Sequence, residues 1–107
     1  RRIYETIGLR YDDVEQLKSI VDAVRQMLID HPDTDTDNRT LIVNFNEYGP
    51  SSIDFFIYTF THTTNWVEYH QIKEKVLLQI NNIISEHGAE IAFPTSTLHI
   101  ANPPAEP

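Results

Sequence analysis

Residues 48–69 read YGPSSIDFFIYTFTHTTNWVEY, and the architecture follows from them. Tyr48-Gly49-Pro50-Ser51 is a turn, because glycine and proline supply the backbone angles that reverse a chain. From 53 to 61 the side chains alternate as on a strand. Ile53, Phe55 and Ile57 fall on one face, and Asp54, Phe56, Tyr58 and Phe60 on the other. Asn65 then opens a helix as its N-cap, with Glu68 three residues later. A two-layer domain normally needs one apolar sheet face, since the other meets water. Three aromatics on the second face predict that something covers it, a contiguous exposed apolar patch being the usual mark of an interaction site.

Upstream, residues 3–10 form a first strand, with Ile3, Ile7 and Leu9 on one face and Tyr4, Thr6, Gly8 and Arg10 on the other. Asp13 followed by Gln16 reads as a capping box. Val14, Leu17, Val21, Val24 and Leu28 then recur at helical spacing. His31-Pro32 stops that helix, because the residue before proline is pushed out of the helical region. Residues 33–39 are a polar loop, and residues 41–47 alternate again with Leu41, Val43 and Phe45 toward the core.

Downstream, Tyr69, Ile72, Val76, Ile80 and Ile83 make the buried stripe of the second helix. Gly88 gives its left-handed stop, and His87 sits at the negative end of its dipole. Residues 90–100 read as a last strand, confined to a sheet edge by Pro94, which has no N–H to donate. The order β-α-β-β-α-β is that of an α+β ferredoxin-like sandwich, an antiparallel sheet with two helices on one face. Its central strands are the first and third, so the open face gathers Tyr4, Phe56, Tyr58 and Phe60, with Trp66 expected at the rim.

The 107 residues make one domain, residues 1–100, with a proline-rich tail at 101–107. A start at Arg1 and an end in that tail lead us to expect a piece excised from a longer protein. Cysteine is absent, which removes disulfides, thiolate nucleophiles and cysteine-ligated metals and fits a reducing compartment. No run of 18 apolar residues is present, so nothing in this sequence spans a membrane as a helix, and no signal peptide is visible. Sixteen acidic against eight basic residues give a net charge of −8, which repels nucleic acids and anionic lipid.

Individual motifs have ordinary explanations. The run Asp33-Thr34-Asp35-Thr36-Asp37-Asn38 starts like a calcium loop, but Asn38 stands where an EF-hand needs glycine and Asn44 where it needs a bidentate glutamate. His31, His62, His70, His87 and His99 have no spacing that pairs two ligands on a helix, so no metal is expected. Gly8, Gly49 and Gly88 are isolated, which excludes a glycine-rich phosphate cradle, and no cofactor is implied. Ser51 and Ser52 have no base beside them, and the sequence offers no nucleophile and base for an enzyme. Asn38-Arg39-Thr40 is an accidental glycosylation sequon outside a secretory context. RNA-recognition modules share this strand order and stack bases on central aromatics. Against that reading stand the acidic charge and Asp54 where a basic-glycine start would be.

Three segments resemble the cytoplasmic carboxyl-terminal αβ domain of the small-conductance mechanosensitive channel (MscS) family. They are Arg1-Arg2 leading into IGLRYD, then PSSIDFFIYTFTHTTNW with its helix, and HGAEIAFPTSTLHI. Ile91-Ala92-Phe93-Pro94 followed by Thr97-Leu98-His99-Ile100 is similar to the segment that closes that domain in the family. Residues 101–107 do not resemble the barrel-forming end of its best-known members. The resemblance implies a heptamer of identical chains in the inner membrane, anchored by upstream helices, that opens under bilayer tension and releases solutes on hypoosmotic shock. This domain would wall a water-filled vestibule, with Tyr4, Phe56, Tyr58, Phe60 and Trp66 as candidate interface residues. The acidic residues of the 33–37 loop would then bias permeation toward cations. The other reading open at this point is a free-standing ferredoxin-like regulatory module that binds a small ligand.

Overall fold

A computed structural model describes residues 1–92. Three strands, β1 (Arg2–Leu9), β2 (Ile42–Tyr48) and β3 (Ile53–Phe60), form an antiparallel sheet in the order β1-β3-β2. Two helices, α1 (Leu17–Asp30) and α2 (Trp66–Glu86), cover one of its faces. The register sets Tyr4 opposite Tyr58 and Thr6 opposite Phe56 across β1 and β3. On the other side of β3, Ile42 lies opposite Tyr58 and Val43 opposite Ile57. A bulge between Phe45 and Glu47 shifts the register before the turn into β3.

The full β-α-β-β-α-β order is not seen among the described residues, since most of the expected last strand and the tail at 101–107 lie outside them. Where the described chain ends, Leu9 and Ile91 form an antiparallel bridge, and the Ala92 N–H donates to the Gly8 carbonyl at 2.9 Å. That contact is on the edge of β1 away from β3, which is where a fourth strand belongs in the expected order.

The core lies between sheet and helices, and the expected stripes fill it. Ile3, Leu9, Val43, Ile53, Phe55 and Ile57 are fully buried from the sheet. From α1 come Leu17, Val21, Val24 and Leu28, joined by Ile20. From α2 come Tyr69, Ile72, Val76 and Ile80. The last position of that stripe is Ile84 rather than Ile83, which is only partly buried. With 3.6 residues per turn the inward direction has drifted one residue by the fifth position.

The start of α1 differs from expectation. Residues Tyr11–Gln16 are a 3-10 turn, and no side chain caps α1. Asp13 is buried and spends its carboxylate elsewhere, accepting from Arg10 Nε at 2.9 Å and Nη2 at 3.0 Å, and from the Glu90 N–H at 2.9 Å. The turn rotates Val14 off the buried stripe, leaving it exposed. At the other end α1 stops at Asp30 as the proline predicts. Just beyond it the His31 Nδ1 accepts the Asp33 N–H at 3.1 Å.

Helix α2 keeps the predicted signals. Asn65 accepts the Glu68 N–H at 2.9 Å. Gly88 takes φ of 74°, the Ala89 N–H reaches back to the Ile84 carbonyl at 3.1 Å and the Gly88 N–H to Ser85 at 3.0 Å, closing a Schellman motif. His87 Nδ1 also lies 2.7 Å from the Ile83 carbonyl. A second pair ties helix to sheet, Lys73 Nζ meeting Glu5 Oε2 at 2.7 Å, and that hydrogen bond raises the Lys73 pKa.

Thr59 is fully buried on the helix side of β3, and its hydroxyl has no hydrogen-bond partner among the described residues. A buried unpaired hydroxyl costs stability, and valine has nearly the same shape without it. Thr59→Val should therefore raise stability by on the order of 1 kcal/mol, ~4–8 °C in Tm for a domain of this size. Thermal melts of the two proteins check this, and an unchanged or lower Tm contradicts it.

Candidate functional site

On the sheet face that the helices leave open, Tyr4, Phe56, Tyr58 and Phe60 form a continuous aromatic row. Tyr4 is 54% exposed and the other three are half-buried. The Tyr4 ring centroid lies 5.8 Å from those of both Phe56 and Tyr58, and Tyr58 is 5.5 Å from Phe60, edge on. These separations are those of favourable tilted and T-shaped pairs. The rings therefore form a preordered apolar surface rather than four independent side chains.

The row has neighbours that the sequence reading passed over. Ile42 faces Tyr58 from β2, and Asn44 faces Phe56. Both follow from the alternation that sends Leu41, Val43 and Phe45 inward, so the signal was present. Arg39 lays its guanidinium 5.0 Å from the Phe60 ring, a cation–π contact between a loop residue and a strand that no spacing rule reveals. The 33–39 loop is held to this end of the sheet, with the Asp35 N–H donating to the Phe60 carbonyl at 2.8 Å and Thr34 bridging Thr61. Thr34 is buried and donates to the Leu28 carbonyl at 2.7 Å. The acidic run is thus a docked connector.

Trp66 stands apart from the aromatic row. At the start of α2 its ring packs on Tyr69 at 6.2 Å and on His70 at 4.3 Å, and the Arg1 guanidinium lies 4.9 Å above it. The Tyr69 hydroxyl donates to the Arg2 carbonyl at 2.6 Å. Trp66 is 58% exposed and marks a second, smaller apolar surface where the chain enters β1.

The opposite end of β1 is tied down by charge. Asp13 joins Arg10 in a bidentate pair and binds the Glu90 N–H, while Arg10 also reaches Glu90 Oε2 at 3.4 Å. Hydrogen bonds from Arg10 and, more weakly, from the Glu90 N–H hold the Asp13 carboxyl below its ordinary pKa, against the opposing effect of burial. Among the described residues, no group of three or more histidine and carboxylate side chains is arranged to hold a metal ion. What the described residues present on the open sheet face is a preordered apolar surface.

Comparison with known proteins gives that surface a context. The family profile described as "Mechanosensitive ion channel MscS, C-terminal" matches residues 6–91. The chain belongs to the MscS family. It is 46% identical over 102 residues to the low conductance mechanosensitive channel YnaI of Escherichia coli, covering 95% of this chain and 29% of that protein. It is 31% identical over 101 residues to the small-conductance mechanosensitive channel MscMJ of Methanocaldococcus jannaschii, covering 94% of this chain and 28% of that one. The MscS-family domain thus spans less than a third of these relatives. The fold is that of the cryo-EM structure of Arabidopsis thaliana MSL1, with a TM-score of 0.79 at 20% identity over 88% of this chain and 34% of that one. The crystal structure of Helicobacter pylori MscS in its closed state gives a TM-score of 0.66 at 20% identity, over 89% and 36%. The family is one of channels, not enzymes. No helix among the described residues is long and apolar enough to cross a membrane.

The Asp13 carboxylate makes stability depend on pH. Its folded pKa is depressed, so its contribution is present above the unfolded carboxyl value and is lost as pH falls through the lower folded value. Asp13→Asn should lower Tm at pH 7, and the gap to the native sequence should narrow as pH falls from 4 toward 2. Parallel melts across that range check it, and a gap that stays constant contradicts it.

Proposed function

We propose that this chain is the vestibule-forming domain of a tension-gated channel that releases solutes on hypoosmotic shock. The observation that carries the reading is the conjunction of an MscS C-terminal match over residues 6–91 with a half-exposed aromatic row on the open sheet face. A lone domain gains nothing from four rings held at the edge of water, whereas a repeated contact between copies buries them in every subunit. Burying one such ring is worth roughly 1.5–3 kcal/mol. The full-length protein in this reading is a heptamer of identical chains in the inner membrane, held there by upstream helices, with this domain on the cytoplasmic side. Tyr4, Phe56, Tyr58 and Phe60 form the contact between copies or with a neighbouring domain, and Trp66 a separate contact at the chain entry. The fold is read as ferredoxin-like, supported by the Leu9–Ile91 bridge on the outer edge of β1.

The full-length protein should stay in the membrane through an alkaline carbonate wash and give pressure-activated currents in excised patches. A soluble protein without such currents points instead to a free-standing regulatory module. For the aromatic row, Phe56→Asp in the full-length protein should lower the yield of assembled oligomer several-fold on native gels. The same substitution in the isolated domain should leave its circular dichroism spectrum unchanged. A Phe56→Asp protein that assembles normally removes this face from the contact.

The carboxylates of the docked 33–37 loop bear on conduction if they line the vestibule, because fixed negative charge raises the local cation concentration. Replacing Asp33, Asp35 and Asp37 by asparagine should shift the reversal potential in asymmetric salt toward the anion value. An unchanged reversal potential sinks that role.

A further inference from the structure

We propose that His31 is a proton-sensitive clasp on the 33–39 loop: the neutral ring holds the loop docked at the Phe60 end of the sheet, and the protonated ring lets it loosen. The clasp belongs to the domain itself and requires no second copy.

The ring sits in the bend that follows α1. Its side chain is only 7% exposed, and its Nδ1 accepts the Asp33 N–H, two residues on, at 3.1 Å. Asparagine and aspartate make this same bond in an Asx-turn, with a side-chain oxygen as the acceptor. The exchange of oxygen for an imidazole nitrogen changes how the turn responds to acid. An amide oxygen remains an acceptor throughout, and a carboxylate does so down to about pH 4. Histidine is the side chain whose class changes charge between pH 5 and 8. Acceptance at Nδ1 requires a lone pair there, so the neutral ring carries its proton on Nε2. A second proton has only Nδ1 to occupy, and it sets two donors, the Nδ1–H and the Asp33 N–H, face to face.

The charges around the ring decide which partner yields. Asp30 from the end of α1, Asp33 from the loop and Lys75 from α2 line one cleft of about 410 Å³ with His31, beside the uncharged Gln79. Lys75 repels an imidazolium there, while the two carboxylates attract it. The Asp30 carboxylate is engaged, accepting from Gln26 Nε2 at 3.2 and 3.1 Å. Asp33 Oδ2 lies 4.0 Å from Nδ1, close enough to receive the new proton after a small turn of its own residue. That movement takes the Asp33 N–H away from the ring. With two carboxylates against one ammonium, the ring is free to charge and the turn opens. His62 is the other titrating ring at this turn: it is exposed, and its N–H donates to the Asp33 carbonyl at 3.1 Å.

The turn is the first of a series of ties. Beyond it the buried Thr34 anchors to the Leu28 carbonyl, the Asp35 N–H to the Phe60 carbonyl, and the Arg39 guanidinium lies over the Phe60 ring. Opening at Asp33 removes the fixed point from which the loop reaches Phe60. The charge on one buried ring thereby bears on the cation that rims the aromatic row.

Hydrogen exchange read by mass spectrometry on the full-length protein tests this, with each rate over residues 33–39 divided by the intrinsic rate at that pH. Between pH 8 and pH 5.5 the protection of this segment should fall several-fold, while that of β3 stays constant. His31→Asn puts an oxygen acceptor in the same place and removes the titration, so its protection should stay at the pH 8 level throughout. Should His31→Asn fail to fold, His31→Asp supplies the same acceptor and carries the same expectation. His62→Asn in the otherwise native chain should keep the fall. Equal protection at both pH values in the native sequence overturns the proposal. A fall that persists without His31, or that disappears with His62, overturns it equally.

Discussion

Strand β3 carries the constraint on which everything else depends, because it forms a full ladder with a described strand on each edge and is apolar on both faces. Its inward side chains, Ile53, Phe55 and Ile57, are fully buried under α1 and α2. Its outward ones, Phe56, Tyr58 and Phe60, cannot be changed in position without moving the inward set, since a slip of one residue exchanges the faces. Packing of the core therefore fixes the geometry of the open face. The domain presents a rigid row of rings because burial on the helix side leaves the strand no other register.

That coupling explains why local contacts around β3 are so heavily specified. Gly8 lies opposite Asp54, where an added Cβ would sit 2.9 Å from Asp54 Oδ1 and 3.1 Å from Ser52. Ser52 donates to Asp54 at 2.7 Å, and the Gly49 N–H donates to the Ser52 carbonyl at 2.7 Å. At the other end Thr61, Asp35 and His62 pair backbone groups with Arg1, Phe60 and Asp33. Both ends of the central strand are thereby stitched to the loops that flank it. The stitched loops also bring Arg39 onto Phe60, so the rim charges of the open face are set by the same bonds that set its register.

Much of this was legible in the sequence for a physical reason: burial on one face imposes a period, and periods can be read. The stripes of α1 and α2, the Asn65 cap, the Gly88 stop and the gathering of Tyr4 with Phe56, Tyr58 and Phe60 all follow from spacing. What was not legible depended on partners distant in the chain. Asp13 reads locally as a cap, yet its carboxylate is claimed by Arg10 and by a backbone N–H 77 residues away. Once it is so claimed, the segment tightens into a 3-10 turn, and Val14 rotates into solvent. Trp66 was expected at the rim of the row, but Asn65 turns the chain onto the helix side, where Tyr69 and Arg1 receive the indole.

The failure of the capping reading has a structural consequence of its own. By drawing the Glu90 N–H to Asp13 and the Ala92 N–H to Gly8, the Arg10–Asp13–Glu90 cluster binds the end of the described chain to the same strand that carries Tyr4. Strand β1 is therefore loaded on three sides: by β3 through its ladder, by α2 through the Glu5–Lys73 pair, and by Ile91 through the bridge. The charges around Asp13 hold one end of β1 while the Arg1–Trp66–Tyr69 stack holds the other, so both ends of the strand that carries Tyr4 are fixed by side chains from outside the sheet.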